Sequence, residues 1–356
     1  MNWFLLIAVA CLLAIGLTFI YGIGQQHGDR FAVVWKSQLM WVIIGILGML
    51  LMATMDYEWL GRLSHLVYLG SILALILVLA IGVEINGAKS WLVIGGKTIQ
   101  PAEFAKLGLA IPAAWLAARK SVQLTRWQHL LPFVLLLVVP FALVSMQPDQ
   151  GSAMVLVPIM VGILFVAGIP SRWLVYGALV CALAAPVVYR YVLEDHQRSR
   201  IIIFLNPASD TSDAGWNARQ SLLAVGSGGM WGKGFMQGTQ YSLGYLPRNV
   251  SHTDFIFSVI AEETGFIGSC VVILLEVLIL LLCVYIASRA RDEFGRNLAC
   301  GIGMMLCCHV YINVGMTIGM APIIGIPLPF VSSGGTFMVL TMGCIGILQS
   351  IYIRRH

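Results

Sequence analysis

The chain has 356 residues, of which 59% are hydrophobic and only 10% charged, with a formal net charge of +5. Soluble domains carry about 25% charged residues, so this composition, with a mean hydropathy of +0.89, makes a bilayer the solvent and excludes an ordinary soluble domain. The positive charge falls mostly in loops and forms no basic stripe interleaved with aromatics, which argues against a nucleic-acid partner.

Ten apolar runs follow along the chain, at about 3–23, 38–55, 63–83, 101–117, 129–146, 152–168, 171–192, 254–287, 298–320 and 334–353. Each approaches the roughly 20 residues that carry a helix across about 30 Å of hydrocarbon. The expected fold class is an all-α polytopic membrane protein, one integral membrane domain over 1–356, with a large extracytoplasmic loop between helices 7 and 8. The first run lacks a basic leader and a small-x-small cleavage site, so it reads as a retained span. The run 254–287 is long enough to tilt or to extend beyond the bilayer.

An even number of spans puts both termini on one side. On that side lie Arg62, Arg119, Lys120, Arg126, Arg172, Arg289, Arg291, Arg296, Arg354 and Arg355, against Arg30, Lys36, Lys89 and Lys97 on the other, with 193–253 left out as a long loop. The bias places both termini in the cytoplasm. The eight cysteines all sit in apolar runs without Cys-x-x-Cys or zinc spacing and read as small buried hydrophobes.

The segment 193–253 is the one long polar stretch and holds Glu194, Asp195, Asp210 and Asp213. A loop of this length is usually functional or disordered. Its middle, Gly215 to Val225, has the pattern of a short amphipathic helix.

Ionisable groups in or beside spans are costly and mark candidate sites. Asp254 follows Ser251, His252 and Thr253 at the head of a span, where partial desolvation would raise its pKa and make it a better base. Ser251 and Asp254 also have capping-box spacing, which offers a purely structural reading. Asp149, in Gln147-Pro148-Asp149-Gln150-Gly151, either caps the next helix or faces the same cavity as Asp254. Glu103 and Lys106 follow Pro101 on one helix face, as a structural ion pair or as charges that face a substrate. Glu262 and Glu263 stand two turns inside the 254–287 run and require a cationic partner or a proton. Pro322 to Gly335 reads as a rigid apolar loop at an outer helix end, tolerated only against protein or a cavity. Gly226 to Gly234 is glycine-dense and would let backbone approach an anionic head group, although it does not match a Walker loop.

At these residues the chain resembles the shape, elongation, division and sporulation (SEDS) family of cell-wall polymerases, nearer its rod-shape branch than its division branch. The resemblance covers nearly the whole chain. It rests on Gln100-Pro-Ala-Glu-Phe-Ala-Lys106, Gln147-Pro-Asp-Gln-Gly151, Arg200 to Pro207, Gln220-Ser221, Gly226 to Gln240, His252-Thr-Asp-Phe-Ile-Phe257, Ala261-Glu-Glu-Thr-Gly-Phe266 and Gly325 to Gly335. Two positions depart from the family pattern: Arg248 stands where a glutamate is usual, and Ser332-Ser333 where Ser-Tyr is usual.

The resemblance implies a peptidoglycan glycosyltransferase that polymerises lipid II into β-1,4-linked glycan in the inner membrane, releases undecaprenyl diphosphate and works with a class B penicillin-binding protein. It maps the catalytic aspartate to Asp254, and Asp149, Glu103 and Lys106 to supporting positions beside His252, Thr253, Gln220 and Ser221. Lys233, Arg219, Arg200 and Arg248 are candidate cations for the leaving diphosphate. No cofactor is demanded by sequence, and a divalent magnesium or manganese ion remains open. A lipid II flippase and a non-catalytic scaffold for the penicillin-binding protein are the alternatives.

Overall fold

The computed structural model describes all residues except 27–32, 86, 121–126, 192, 194, 207–212, 248–249 and 356. Helices α1 (Trp3–Gln26) and α2 (Val34–Thr54) are followed by the short α3 (Glu58–Arg62) and by α4 (Ser64–Ile81). Then come α5 (Pro101–Lys120), α6 (Leu131–Ser145), α7 (Gln150–Val166) and α8 (Ser171–Tyr191). After the polar segment run α12 (Ile256–Arg289), α13 (Glu293–Thr317) and α14 (Gly335–Ile353). Setting α3 aside, these are ten apolar helices among the described residues, one for each expected run. Seven are long and apolar enough to cross a membrane by themselves. The others are the shorter α6 and α7 and the charged α5.

In lipid, helices associate by close packing and polar contacts rather than by hydrophobic exclusion. α13 is the central post, packed on α12, α7, α5 and α14, while α14 lies along α2. The α2–α14 seam depends on small residues: a Cβ at Gly346 would stand 2.4 Å from the Met49 carbonyl oxygen. Among the described residues, none in the membrane-length stretch of α8 is buried, so this span stands outside the packed bundle.

The first and last helices are clasped at one end. The Asn2 amide donates to Gln349 Oε1 at 2.8 Å, and Gln349 Nε2 donates back to Asn2 O at 2.9 Å. The Arg291–Glu58 ion pair, Tyr57 donating to Asp292, and Arg354 donating to Thr54 O lie at the loop ends facing the same way. The chain parity expected from the sequence is therefore present.

Three features differ from the expected layout. Residues 83–99 form a small antiparallel sheet, β1 (Val83–Ile85), β2 (Ala88–Ile94) and β3 (Lys97–Ile99), between α4 and α5. The polar segment holds α9 (Asp195–Leu205), α10 (Asp213–Ser227) and α11 (Thr239–Ser242), where only the middle helix was expected. α12 is a broken helix rather than one tilted rod, because Gly265 takes φ 70°, ψ −163°.

The break explains the glycine-dense loop. Its backbone docks on the opened turn: Lys233 N donates to Glu262 O and Gly234 N to Glu263 O, both at 3.0 Å, while Phe266 N donates to Gly229 O at 2.8 Å. A Cβ at Gly232 would lie 2.1 Å from the Glu263 carbonyl oxygen. The glycines thus serve apposition to a helix, and the expectation of an anion-binding loop is corrected.

Candidate active site

Four helices begin around one cavity. α5 opens at Pro101, and Gln100 just before it donates its backbone N–H to Thr336 Oγ1 of α14 at 3.1 Å. Asp149 caps α7 by accepting from Ser152 N at 3.0 Å, while its other oxygen accepts from the Gln100 amide. Thr253 and Asp254 lead into α12, and Gly334 leads into α14; neither of these two helices has a side-chain cap. Helix N-termini carry partial positive charge, so their convergence favours an anion. The space they enclose is about 220 Å³ and is lined by Gln100, Glu103, Lys106, Asp149, Asp254 and His309, among others. Both readings of Asp149 therefore hold at once.

Asp254 is partly buried at the head of α12. Burial pushes its carboxyl up to about 6, while the Thr253 hydroxyl and the Arg200 charge pull it down. The capping-box reading is not realised. Ser251 Oγ donates to Pro247 O at 2.6 Å, and Asp254 N donates to Val250 O at 2.8 Å. This tight turn uses the local donors and acceptors, leaving Phe255 as the helix boundary residue.

The turn is fixed from behind. Asn313 Nδ2 donates to Asp254 O at 3.0 Å and to Ile326 O at 2.7 Å. Ser332 Oγ donates to Thr253 O at 2.6 Å, and Ser333 N to His252 O at 2.9 Å. Gly325 adopts φ 77°, and a Cβ there would stand 3.3 Å from Asp254 Oδ2. The Pro322–Gly335 loop is therefore a cavity wall, as its composition suggested, and Thr253 also faces the cavity.

Lys106 Nζ lies 2.9 Å from both carboxyl oxygens of Glu103, with both side chains buried. The same Nζ is 3.1 Å from His309 Nε2. The pair is structural in its geometry and also lines the cavity. Sequence reasoning missed His309 and Asn313. The signal was present, since both polar groups lie in an apolar run four residues apart, on one helix face.

Several candidate residues lie elsewhere. Lys233 donates to Glu262 Oε1 at 2.6 Å and to Thr239 Oγ1 at 2.7 Å. It is the partner that the paired glutamates required, and its place among cations of the cavity is corrected. Glu262 also accepts from Thr239 N, and Glu263 from Met236 N. Buried carboxylates hold together only when their lone pairs are filled in this way. Gln220 and Ser221 are buried away from the cavity: Ser221 Oγ lies 2.7 Å from Ser258 Oγ and donates to Thr317 O, fastening α10 to α12 and α13. Arg219 sits on α10, half-buried and outside the lining set. Arg200 is exposed on the rim of a neighbouring apolar groove with Ile203, Phe204, Met316 and Pro322. Arg248 lies outside the described residues. Among the described lining residues, Lys106 is the one Lys or Arg side chain.

Known proteins share this architecture. Residues 2–356 match the FtsW/RodA/SpoVE cell cycle protein family. The chain is 34% identical over 351 residues to the peptidoglycan glycosyltransferase MrdB of Escherichia coli K12, covering 99% of this chain and 93% of that protein. It is 31% identical over 427 residues to the peptidoglycan glycosyltransferase RodA of Treponema pallidum, covering 99% and 98%. A chain of a solved structure described as structural coordination of polymerization and crosslinking by a peptidoglycan synthase complex superposes with a TM-score of 0.85 at 30% identity, over 100% of this chain and 98% of that one.

Proposed function

This chain belongs to the FtsW/RodA/SpoVE family of cell cycle proteins and is a peptidoglycan glycosyltransferase, and from that premise we propose that it polymerises lipid II with Asp254 as general base. The observation that carries the assignment is a carboxyl group, pushed up by burial, on the wall of a cavity shared with a buried ammonium and four helix N-termini.

The chemistry balances on these groups. The acceptor sugar's 4-hydroxyl oxygen attacks the donor's anomeric carbon, its proton passes to Asp254, and the bond to the diphosphate breaks with inversion. General-base help is worth roughly 10²–10⁴-fold. The remainder comes from orientation and from charge stabilisation of the leaving diphosphate by Lys106 and the helix ends. In this reading Arg200, exposed beside the apolar groove, contacts the lipid-linked end of the substrate, and the apolar lining of that groove supports the role.

A magnesium or manganese ion would arrive on the diphosphate rather than be held by the protein alone. Among the described residues, no three His, Cys, Asp or Glu side chains form a metal-holding group. Asp149 and Asp254 line the cavity as carboxylates that a diphosphate-borne ion would meet. The positive loop bias supports cytoplasmic termini and a cavity that opens outward. That placement supports chemistry over a flippase, which needs access from both faces. The likeness to a chain of a synthase complex supports a class B penicillin-binding protein as partner.

The test is glycan synthesis from lipid II by the purified full chain with its transpeptidase partner. Asp254→Ala should lower the rate by more than about 100-fold at unchanged folding. Normal synthesis by a correctly folded variant removes Asp254 from the role. EDTA followed by magnesium or manganese checks the ion in the same assay.

A further inference from the structure

We propose that His309 is a positioning residue for this reaction, fixing the aim of the Lys106 ammonium and tying it to the loop that walls Asp254. The inference rests on the proposed glycosyltransfer at this cavity and assigns a residue that the general-base account leaves unused.

An ammonium has three donors and no acceptor. Lys106 places two against the Glu103 oxygens at 2.9 Å each and the third against His309 Nε2 at 3.1 Å. The other ring nitrogen, Nδ1, is 3.1 Å from the Pro327 carbonyl oxygen, which can only accept. Nδ1 therefore carries the ring proton, and Nε2 presents its lone pair to Lys106. The tautomer follows from two neighbours of fixed polarity. The ring is also held in plane against Phe337, with centroids 4.6 Å apart at 27°.

Pro327 is two residues beyond Gly325, which stands against Asp254, and five before Ser332, which bonds the Thr253 carbonyl. One imidazole thus joins the cation side of the cavity to the base side. With its three donors engaged, Lys106 acts on the leaving group through its charge; a charge held in place acts mainly on the transition state, so its displacement appears in kcat more than in KM.

Two variants separate this role from mere packing. His309→Phe keeps the volume and the ring stack but offers neither acceptor nor donor. His309→Gln offers a carbonyl to Lys106 and an N–H to Pro327 from one side chain. We expect His309→Phe to lower kcat for glycan synthesis by about 10-fold or more with KM within about 3-fold, and His309→Gln to recover most of it. Unchanged kinetics in a folded His309→Phe, or equal loss in both variants, overturns the proposal.

If His309→Phe does not fold, nitrogen-15 histidine spectra of the full-length wild type decide, with the resonance assigned by its loss in His309→Gln. A neutral ring protonated on Nδ1 supports the assignment, and protonation on Nε2 or on both nitrogens overturns it. Asp254→Ala is run in parallel. An active Asp254→Ala sinks the base assignment, whereas an inactive Asp254→Ala beside a kinetically normal His309→Phe sinks only the role of His309.

Discussion

At the residue scale, the general-base role proposed for Asp254 would trade stability for chemistry. Burial lifts its carboxyl from 3.8 to about 6, so the folded state holds that proton more tightly than the unfolded chain does. Stability from this group is therefore lost as pH rises from about 4 to about 6. Asp254→Asn should be the more stable protein at pH 8, by roughly 1–3 kcal/mol, with the difference gone below about pH 4. Melting of both proteins across pH checks this, and an Asn variant that melts lower at pH 8 would contradict burial as the cause. Catalysis has the opposite sign, because the base form is needed. Initial rates should rise about tenfold per pH unit up to about pH 6 and level off above it. The partial burial of Asp254 beside a cavity was legible from its place at the head of an apolar run. The tight turn from Val250 to Asp254 was not, because capping-box spacing alone cannot distinguish a cap from a turn that spends the same donors locally.

At the scale of elements, the break in α12 and the segment docked on it form one latch. Gly265 at φ 70° has the Gly232 amide nitrogen 2.3 Å from where a Cβ would stand. Gly265→Ala should cost more than about 3 kcal/mol and lower the melting temperature sharply. Lys233→Met leaves Glu262 with its backbone donors but without its cation, at a local cost of about 1–3 kcal/mol. Hydrogen exchange over 233–241 should accelerate, and unchanged protection there would show that the ion pair contributes nothing. The apolar run 254–287 did not mark the break, since glycines such as Gly265 and Gly268 are ordinary in membrane spans. The small sheet did leave signs. Asn86-Gly87 and Gly95-Gly96 are dipeptides typical of two-residue hairpin loops, and in the sequence each sits between short strand-forming stretches.

For the whole molecule, ten runs and their parity were legible because hydrocarbon thickness sets a minimum apolar length. The packing order was not. That α13 is the central post follows from which small and polar faces meet, and hydropathy does not record faces. The orientation is directly testable with single cysteines in an otherwise cysteine-free chain. Lys97→Cys on β3 should react with an impermeant maleimide in intact cells, and Arg291→Cys at the opposite end should react only after permeabilisation. The reverse pattern would turn the protein over and place Asp254 on the wrong side for extracytoplasmic glycan. On the proposed reading, the cavity's attraction for a diphosphate is shared between one lysine and the opening turns of α5, α7, α12 and α14. Peptide dipoles cannot be deleted by changing a codon, nor neutralised by titration. A survey that removes basic side chains one at a time would therefore undercount what grips the substrate, and much of the affinity would survive every substitution in it.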